Sequence, residues 1–192
     1  MFKKLFTAAT VIFSMASVAH AEIAYSMPAL EVGLKLNTMD ATGATSNKQS
    51  QAFQGGGSIV FDFGNSGFGL KTGLMYSERT FKNESNLGLT TTEGKITYFD
   101  VPLQIMFKFE DYAGIYFGPS FSTKLGDECK TNVGTCSLTK VKSSVVPMTF
   151  GAQFKMASNF GLSLFFETIS GEVAQGLESS RGVGANLLFV FD

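Results

Sequence analysis

The chain has 192 residues with a formal net charge of −1, and 44% of its residues are hydrophobic. A chain so close to neutrality lacks the basic excess that would point to a nucleic-acid partner, and its length suits one domain. No apolar run after the N terminus reaches the roughly 20 residues that a membrane-spanning helix needs. Residence in a membrane would therefore require a closed β-barrel.

The N terminus has the features of a cleavable export signal. Lys3 and Lys4 precede an apolar run over residues 5–18, and Ala19-His20-Ala21 is a small-x-small sequence of the kind that signal peptidase cleaves. The apolar run is short for a membrane-anchoring helix, the alternative interpretation. We therefore predict a signal peptide over residues 1–21 and an exported domain over residues 22–192.

The exported part contains eight stretches in which bulky apolar residues alternate with glycine, small or polar residues. This alternation is typical of β-strands with two unlike faces. In chain order, the predicted strands cover residues 30–37, 53–63, 68–77, 98–109, 114–122, 146–155, 160–167 and 182–191.

The connections between the predicted strands alternate in length, which is typical of outer-membrane barrels with short periplasmic turns. Tight turns are predicted over residues 64–67, 110–112 and 157–159, and long polar loops over residues 38–51, 81–94, 125–140 and 170–179. The sequence therefore predicts an all-β, eight-stranded antiparallel up-and-down transmembrane β-barrel.

The direction of the two faces follows from bulk, because the interior of an eight-stranded barrel is just wide enough for its own side chains. We therefore expect the Phe, Leu, Ile and Val face to point into lipid and the small and polar face to point inwards. Phe53, Tyr76, Phe99 and Phe121 lie near the long-loop ends. An aromatic girdle is predicted at the short-turn ends, where such belts mark the membrane interface: Phe63, Phe68, Phe107, Phe109, Phe154, Phe160, Phe189 and Phe191.

The inward face carries charged and phenolic side chains that would meet in the lumen. They could line a polar conduit, but charges in a narrow barrel must pair to offset their desolvation, which favours a salt-bridged plug. The predicted lumen network comprises Glu31, Lys71, Tyr98, Asp100, Tyr116 and Glu167.

The two cysteines, Cys129 and Cys136, are seven residues apart in a polar stretch. In an exported protein this spacing favours a disulfide over a metal pair, and no His lies nearby. No metal or other cofactor is predicted. Three prolines, Pro102, Pro119 and Pro147, fall inside predicted strands, where we expect bulges or local loss of pairing.

One strand and its successor resemble a known family. The segment Tyr98-Phe99-Asp100-Val101-Pro102-Leu103 resembles the Tyr-Leu-Glu-Ile-Pro-Leu strand of small outer-membrane β-barrel domains, often labelled PorT-like or porin-family, and Gly118-Pro119 in the next strand is similar to that family's Gly-Pro. The resemblance implies a membrane barrel but no particular activity. Members usually end in an aromatic residue, whereas Asp192 follows Phe191 here.

These features predict a non-enzymatic protein with a structural role or a role in loop-mediated interactions. Outer-membrane barrel enzymes generally use a histidine, and His20, the chain's single histidine, lies in the predicted signal peptide. The alternatives are passive passage of small or hydrophobic solutes and a soluble lipocalin-like binder with an apolar pocket. The expected partners are outer-membrane lipid and, during insertion, the barrel assembly machinery. A monomer is expected, and the extracellular partner is left open.

Overall fold

The computed structural model describes residues 23–64, 66–85, 89–110 and 113–191. The predicted signal peptide lies outside the described residues, as does Asp192. Within these ranges, no helix is long and apolar enough to cross a membrane.

The described residues form ten β-strands. They are β1 (Ile23–Ala41), β2 (Ser46–Lys48), β3 (Ser50–Phe63), β4 (Phe68–Ser85), β5 (Thr90–Glu110), β6 (Ala113–Thr131), β7 (Ser144–Val145), β8 (Met148–Lys155), β9 (Phe160–Ala174) and β10 (Leu177–Val190).

Eight of these strands close into a ring in which all neighbours run antiparallel. The order is β1, β3, β4, β5, β6, β8, β9 and β10, and β10 pairs back to β1. The short β2 pairs with the end of β4, and β7 pairs with β6. The predicted eight-stranded antiparallel up-and-down barrel is therefore confirmed. We call the end with the β1–β2, β4–β5, β6–β7 and β9–β10 connections the outer end.

The strands extend further towards the outer end than the sequence predicted. β9 and β10 are joined by Gln175 and Gly176, although a loop was predicted over 170–179, and β4 reaches Ser85 inside the predicted loop 81–94. The ladder between β4 and β5 continues there, with Lys82 opposite Glu93. The predicted loops at this end are therefore partly hairpin arms.

The three prolines at which bulges were expected, Pro102, Pro119 and Pro147, interrupt the ladders without shifting their register. Pairing between β5 and β6 lapses between Pro102 and Ile105 and resumes in the same register, and β7 and β8 share one register on β6 across the gap at Pro147. The expected loss of pairing is present, but the expected bulges are not at these positions. A missing N–H removes a ladder hydrogen bond without requiring an extra residue.

The two faces of the strands have opposite chemistry. Leu34 on the outer surface is 57% exposed, whereas the next side chain, Lys35, is 1% exposed. The same alternation holds along the predicted strands, with Phe117, Phe150 and Leu187 exposed outside. The prediction that the large apolar residues point away from the barrel axis is confirmed, and the lumen is not the apolar pocket of a lipocalin-like binder.

Candidate functional site

The centre of the lumen is occupied by a cluster of ion pairs around Arg79. Its guanidinium is fully buried, and Nη2 lies 2.9 Å from both Asp100 Oδ2 and Glu167 Oε2, while Nε donates to Glu167 Oε1 at 3.0 Å. Lys35 Nζ lies 3.2 Å from Glu167 Oε1 and donates to Ser77 Oγ at 2.8 Å. Two cations and two carboxylates from four strands thus neutralise one another. We call these four charged residues the ionic layer.

A second polar cluster surrounds Glu31. Lys71 Nζ lies 2.7 Å from Glu31 Oε1, and Asn186 Nδ2 donates to Glu31 Oε2 at 2.9 Å. Gln54 donates to Asn186 Oδ1, and Lys71 donates to Gln153 Oε1. The space left beside the two clusters is a cavity of about 50 Å³, room for only a few water molecules.

The two lumen tyrosines contact the cations of these clusters. Lys71 Nζ lies 4.3 Å from the ring centre of Tyr116, whose hydroxyl is 2.6 Å from Ser163 Oγ. The Arg79 guanidinium carbon lies 4.8 Å from the ring centre of Tyr98. Gly151 leaves space for Tyr116, because a Cβ there would lie 2.3 Å from the ring.

The structure therefore places all six predicted lumen residues inside the barrel, in two clusters. Glu31, Lys71 and Tyr116 meet in one, and Asp100, Glu167 and Tyr98 surround Arg79 in the other. Sequence reasoning missed Arg79, the residue that joins Asp100 to Glu167, and it did not include Lys35 in the network. Arg79 could have been recognised from its position, because it lies an even number of residues after Lys71 and Ser77 and therefore on the same inward face of the strand.

An apolar cluster closes the lumen at the outer end, directly above the ionic layer. On three strands an apolar residue lies two positions nearer the outer end than an ionic one: Phe81 beyond Arg79, Tyr98 beyond Asp100, and Ile169 beyond Glu167. We call the whole cluster the apolar cap. It contains Met39, Phe81, Ile96, Tyr98, Val145, Ile169, Val173, Ala174 and Leu177.

The segment from Asn132 to Ser143 covers one side of this cap. Its Leu138 and Val141 pack against the cap, Lys142 N–H donates to the Val173 carbonyl at 2.9 Å, and Gln175 N–H donates to the Thr139 carbonyl at 3.0 Å. The predicted disulfide between Cys129 and Cys136 is present and ties the start of this segment to β6. We call residues 132–143 the covering segment.

Apolar side chains also close the inner end of the lumen. Val60, Met106 and Phe165 form a buried cluster with Tyr116, and Leu188 and Val190 pack with Ala29. The polar clusters therefore lie between two apolar layers.

The outer surface changes character above the aromatic residues Tyr76 and Phe99. Lys82 pairs with Glu93, and Lys95 Nζ lies 3.3 Å from Glu78 Oε1 and 3.9 Å from Glu128 Oε1. The hydrogen bond to Glu93 raises the pKa of Lys82, and the hydrogen bond to Glu78 together with its charge raises the pKa of Lys95. Such a charged surface suits water rather than hydrocarbon.

The predicted girdle residues lie on the outside of the barrel wall, at the end opposite the outer end. Phe68 and Phe107 have ring centres 5.0 Å apart, Phe107 and Phe109 4.9 Å, and Phe160 and Phe189 5.3 Å. Phe63, Phe154 and Phe191 are also exposed there. Their role at a membrane interface stays a prediction.

The described residues contain no group of three or more His, Cys, Asp or Glu side chains arranged to hold a metal ion. Cys129 and Cys136 are joined to each other.

Several solved structures that this chain is similar to are outer-membrane proteins. Neisserial surface protein A is 12% identical over 88% of this chain and 99% of its own, with a TM-score of 0.55. Ail of Yersinia pestis, in complex with the heparin analogue sucrose octasulfate, is 16% identical over 85% of this chain and 98% of its own, with a TM-score of 0.46. The outer membrane protease OmpT of Escherichia coli is 11% identical over 90% and 98%, with a TM-score of 0.38. The likeness to Neisserial surface protein A, with its TM-score above 0.5, supports a shared fold and nothing finer.

Sequence comparison with curated proteins finds no match. The sequence model of the outer membrane protein beta-barrel domain matches residues 24–180, which is most of the chain. The protein therefore belongs to the outer membrane protein β-barrel domain family and is located in the outer membrane.

Proposed function

We propose that this protein is a closed, non-enzymatic outer-membrane barrel whose function lies in the hairpins at its outer end. The observation that carries the proposal is the filled lumen, in which the ionic layer is enclosed between two apolar layers. An ion or solute crossing the barrel would have to separate buried ion pairs and then displace the apolar cap. Both steps are costly in a site of low dielectric constant.

The proposal that the protein is not an enzyme is supported by the burial and pairing of its lumen hydroxyl and amino groups. Ser163, the hydroxyl beside the Lys71–Tyr116 contact, is fully buried and hydrogen-bonded to a phenol rather than to a base. Lys71 is already paired with Glu31. A hydrolase of the serine type would need an accessible nucleophile next to an unengaged base.

A closed lumen leaves the outer end as the part that can meet other molecules. β4, β5 and β6 extend well beyond the apolar belt, by which we mean the band of exposed apolar side chains between the inner end and the level of Tyr76, Phe99 and Phe121. The disulfide holds the covering segment in place. Rigid hairpins that project from a membrane barrel present side chains in fixed positions, which is what recognition needs.

Planar-bilayer recording tests the proposal. Purified protein, with insertion checked by its heat-dependent gel mobility, is expected to give no steady conductance under conditions in which an open porin conducts. A reproducible conductance from the unmodified protein would overturn the closed barrel and favour passive passage of small solutes.

A further inference from the structure

A cavity of about 340 Å³ lies at the outer tip of the barrel, on the far side of the apolar cap from the ionic layer. Described residues from all four outer connections or the strand ends beside them line it. We call it the apical cup, and it is bounded by residues 41–44, 83–85, 136–138 and 175–177 together with Thr92 and Cys129. Phe81, Leu138 and Leu177 belong both to the cup and to the apolar cap or its cover, so they form an apolar floor.

The walls of the cup are polar but almost uncharged. They carry the hydroxyls of Ser85, Thr92 and Ser137 and the side-chain amides of Asn83 and Gln175. No Lys or Arg occurs among the described residues that line the cup. Its one acidic residue, Glu84, is paired with Lys48 at 3.5 Å. An anionic ligand would therefore find no cation in the lining, since Lys48 lies outside it and is paired with Glu84, whereas a neutral ligand with many hydroxyl groups would find donors and acceptors.

Asn83 supplies a second observation that points to a ligand. It lies on the inward face of β4 and is only 7% exposed, and its Oδ1 has no hydrogen-bond partner among the described residues. Buried side-chain carbonyl oxygens are nearly always paired, because leaving one without a donor costs free energy. Asn83 lines the cup, and rotation of its amide about the Cβ–Cγ bond would bring this enclosed oxygen to the cavity, where a bound molecule would supply the donor.

We propose that the apical cup binds a sugar unit of a neutral glycan outside the cell, with the side-chain amide of Asn83 hydrogen-bonded to one of its hydroxyl groups. This inference rests on the proposed function, since it assigns a ligand class to the outer end of a closed barrel. A pyranose ring has one apolar C–H face and a rim of hydroxyls, which matches an apolar floor with amide and hydroxyl walls. The cup also falls in the size range of small-molecule sites, about 300–1,000 Å³.

The disulfide has a defined part in this site. Cys129 and Cys136 both line the cup, and the bond between them holds Ser137 and Leu138 in its wall. Reduction would release this wall while leaving the ionic layer below intact. Binding of the glycan is therefore expected to weaken when the disulfide is reduced.

The test uses the full-length protein extracted from outer membranes and saturation-transfer difference NMR. The probes are lactose, maltose and N-acetyllactosamine, with a heparin tetrasaccharide as the sulfated contrast. At least one neutral probe is expected to bind, and the sulfated probe is not. Asn83→Leu is expected to weaken that binding about tenfold or more. It should leave the thermal unfolding temperature unchanged or higher, because leucine has a similar volume and no unpaired oxygen.

Two further variants define the position of the site. Ser137→Trp places a large ring in the cup and is expected to abolish binding. Gln51→Leu, on the exposed outer wall of β3, is the matched polar-to-leucine control and should bind as the unmodified protein does. The inference is overturned if no neutral probe binds, if only the sulfated probe binds, or if Asn83→Leu and Ser137→Trp bind normally.

Conductance of the same preparation separates this inference from the proposed function. If the protein neither conducts nor binds a sugar, the glycan site is contradicted while the closed barrel is still supported. A barrel that conducts would contradict the proposed function whatever it binds.

Discussion

The membrane-spanning part and the outer end of the barrel are built by the same strands with opposite distributions of polarity. In β4, Lys71 and Arg79 point into the lumen while Leu74 is exposed outside; closer to the outer end, Phe81 is buried inside and Lys82 lies outside. In β5, Asp100 is inside and Ile105 outside, but Ile96 is inside and Lys95 outside. Both strands therefore reverse their polarity along their length.

The reversal follows the solvent on the outer side of the wall. Where hydrocarbon surrounds the barrel, bulky apolar side chains face outwards and the polar groups that remain must pair inside. Where water surrounds it, the hydrophobic effect drives the apolar side chains inwards, as in a soluble protein. The ionic layer thus fills the lumen where lipid surrounds the barrel, and the apolar cap fills it where water does.

Removal of Arg79 should be the most damaging change to the membrane-spanning part. Arg79→Ala leaves Asp100 and Glu167 buried with Lys35 as the single remaining cation of the ionic layer, so the free energy of unfolding should fall by up to about 5 kcal/mol. Urea unfolding in lipid vesicles measures this loss. Arg181→Ala is the control, because its pair with Asp40 is exposed and 3.5 Å long, and it should change stability by less than about 1 kcal/mol. Equal losses in the two variants would contradict a buried ionic layer.

Truncation of Phe81 should damage the outer end in a different way. Phe81→Ala leaves a cavity in the apolar cap and is expected to lower the free energy of unfolding by about 3–4 kcal/mol. Phe150→Ala, on the lipid-facing surface, is the matched control. Its loss should be smaller, since lipid chains can fill the space. A larger loss at Phe150 than at Phe81 would count against a packed cap.

A new charge on the outer surface should reveal where hydrocarbon ends. Leu34→Lys places an ammonium group in the apolar belt and is expected to destabilise the inserted barrel by about 2–3 kcal/mol. Thr91→Lys, opposite Glu84 at the outer end, should change stability by less than about 0.5 kcal/mol. Vesicle refolding titrations compare the two, and similar costs would place both positions in the same surroundings.

Loss of the disulfide should loosen the outer end alone. Changing Cys129 and Cys136 together to serine should lower stability by about 2.5 kcal/mol, the chain-entropy estimate for so short a loop. In hydrogen exchange, the Lys142 amide, which donates to Val173, should exchange faster. The amide of Lys71 should be unchanged. Faster exchange at both sites would show that the covering segment is not a separate unit.

The membrane-spanning part could be predicted from the sequence because one pattern runs through it. Bulky residues such as Leu34 and Phe117 alternate with Lys35 and Gly118, and the strand count and direction of the faces follow from that alternation. Glu31 and Lys71 could be placed in the lumen on the same grounds. Their partners could not be named, because pairing across the lumen depends on register and not on sequence distance.

The outer end was predicted less well for a physical reason. Beyond Tyr76 the polar residues Glu78 and Lys82 occupy the outward positions, so the pattern of a lipid-facing strand ends although the strand continues. This reversal made residues 81–94 resemble a polar loop and left Arg79 outside the predicted strand. The contact between the covering segment and Val173 is non-local and carries no short-range signal.

A spin-label scan along β4 tests the central contrast most directly. Labels at outward positions 70, 72 and 74 should be accessible to oxygen dissolved in lipid, and labels at 80, 82 and 84 to a water-soluble nickel complex. The change from oxygen accessibility to nickel accessibility should fall between Tyr76 and Glu78. If labels at all these positions were accessible to the same reagent, the solvent would not change along β4.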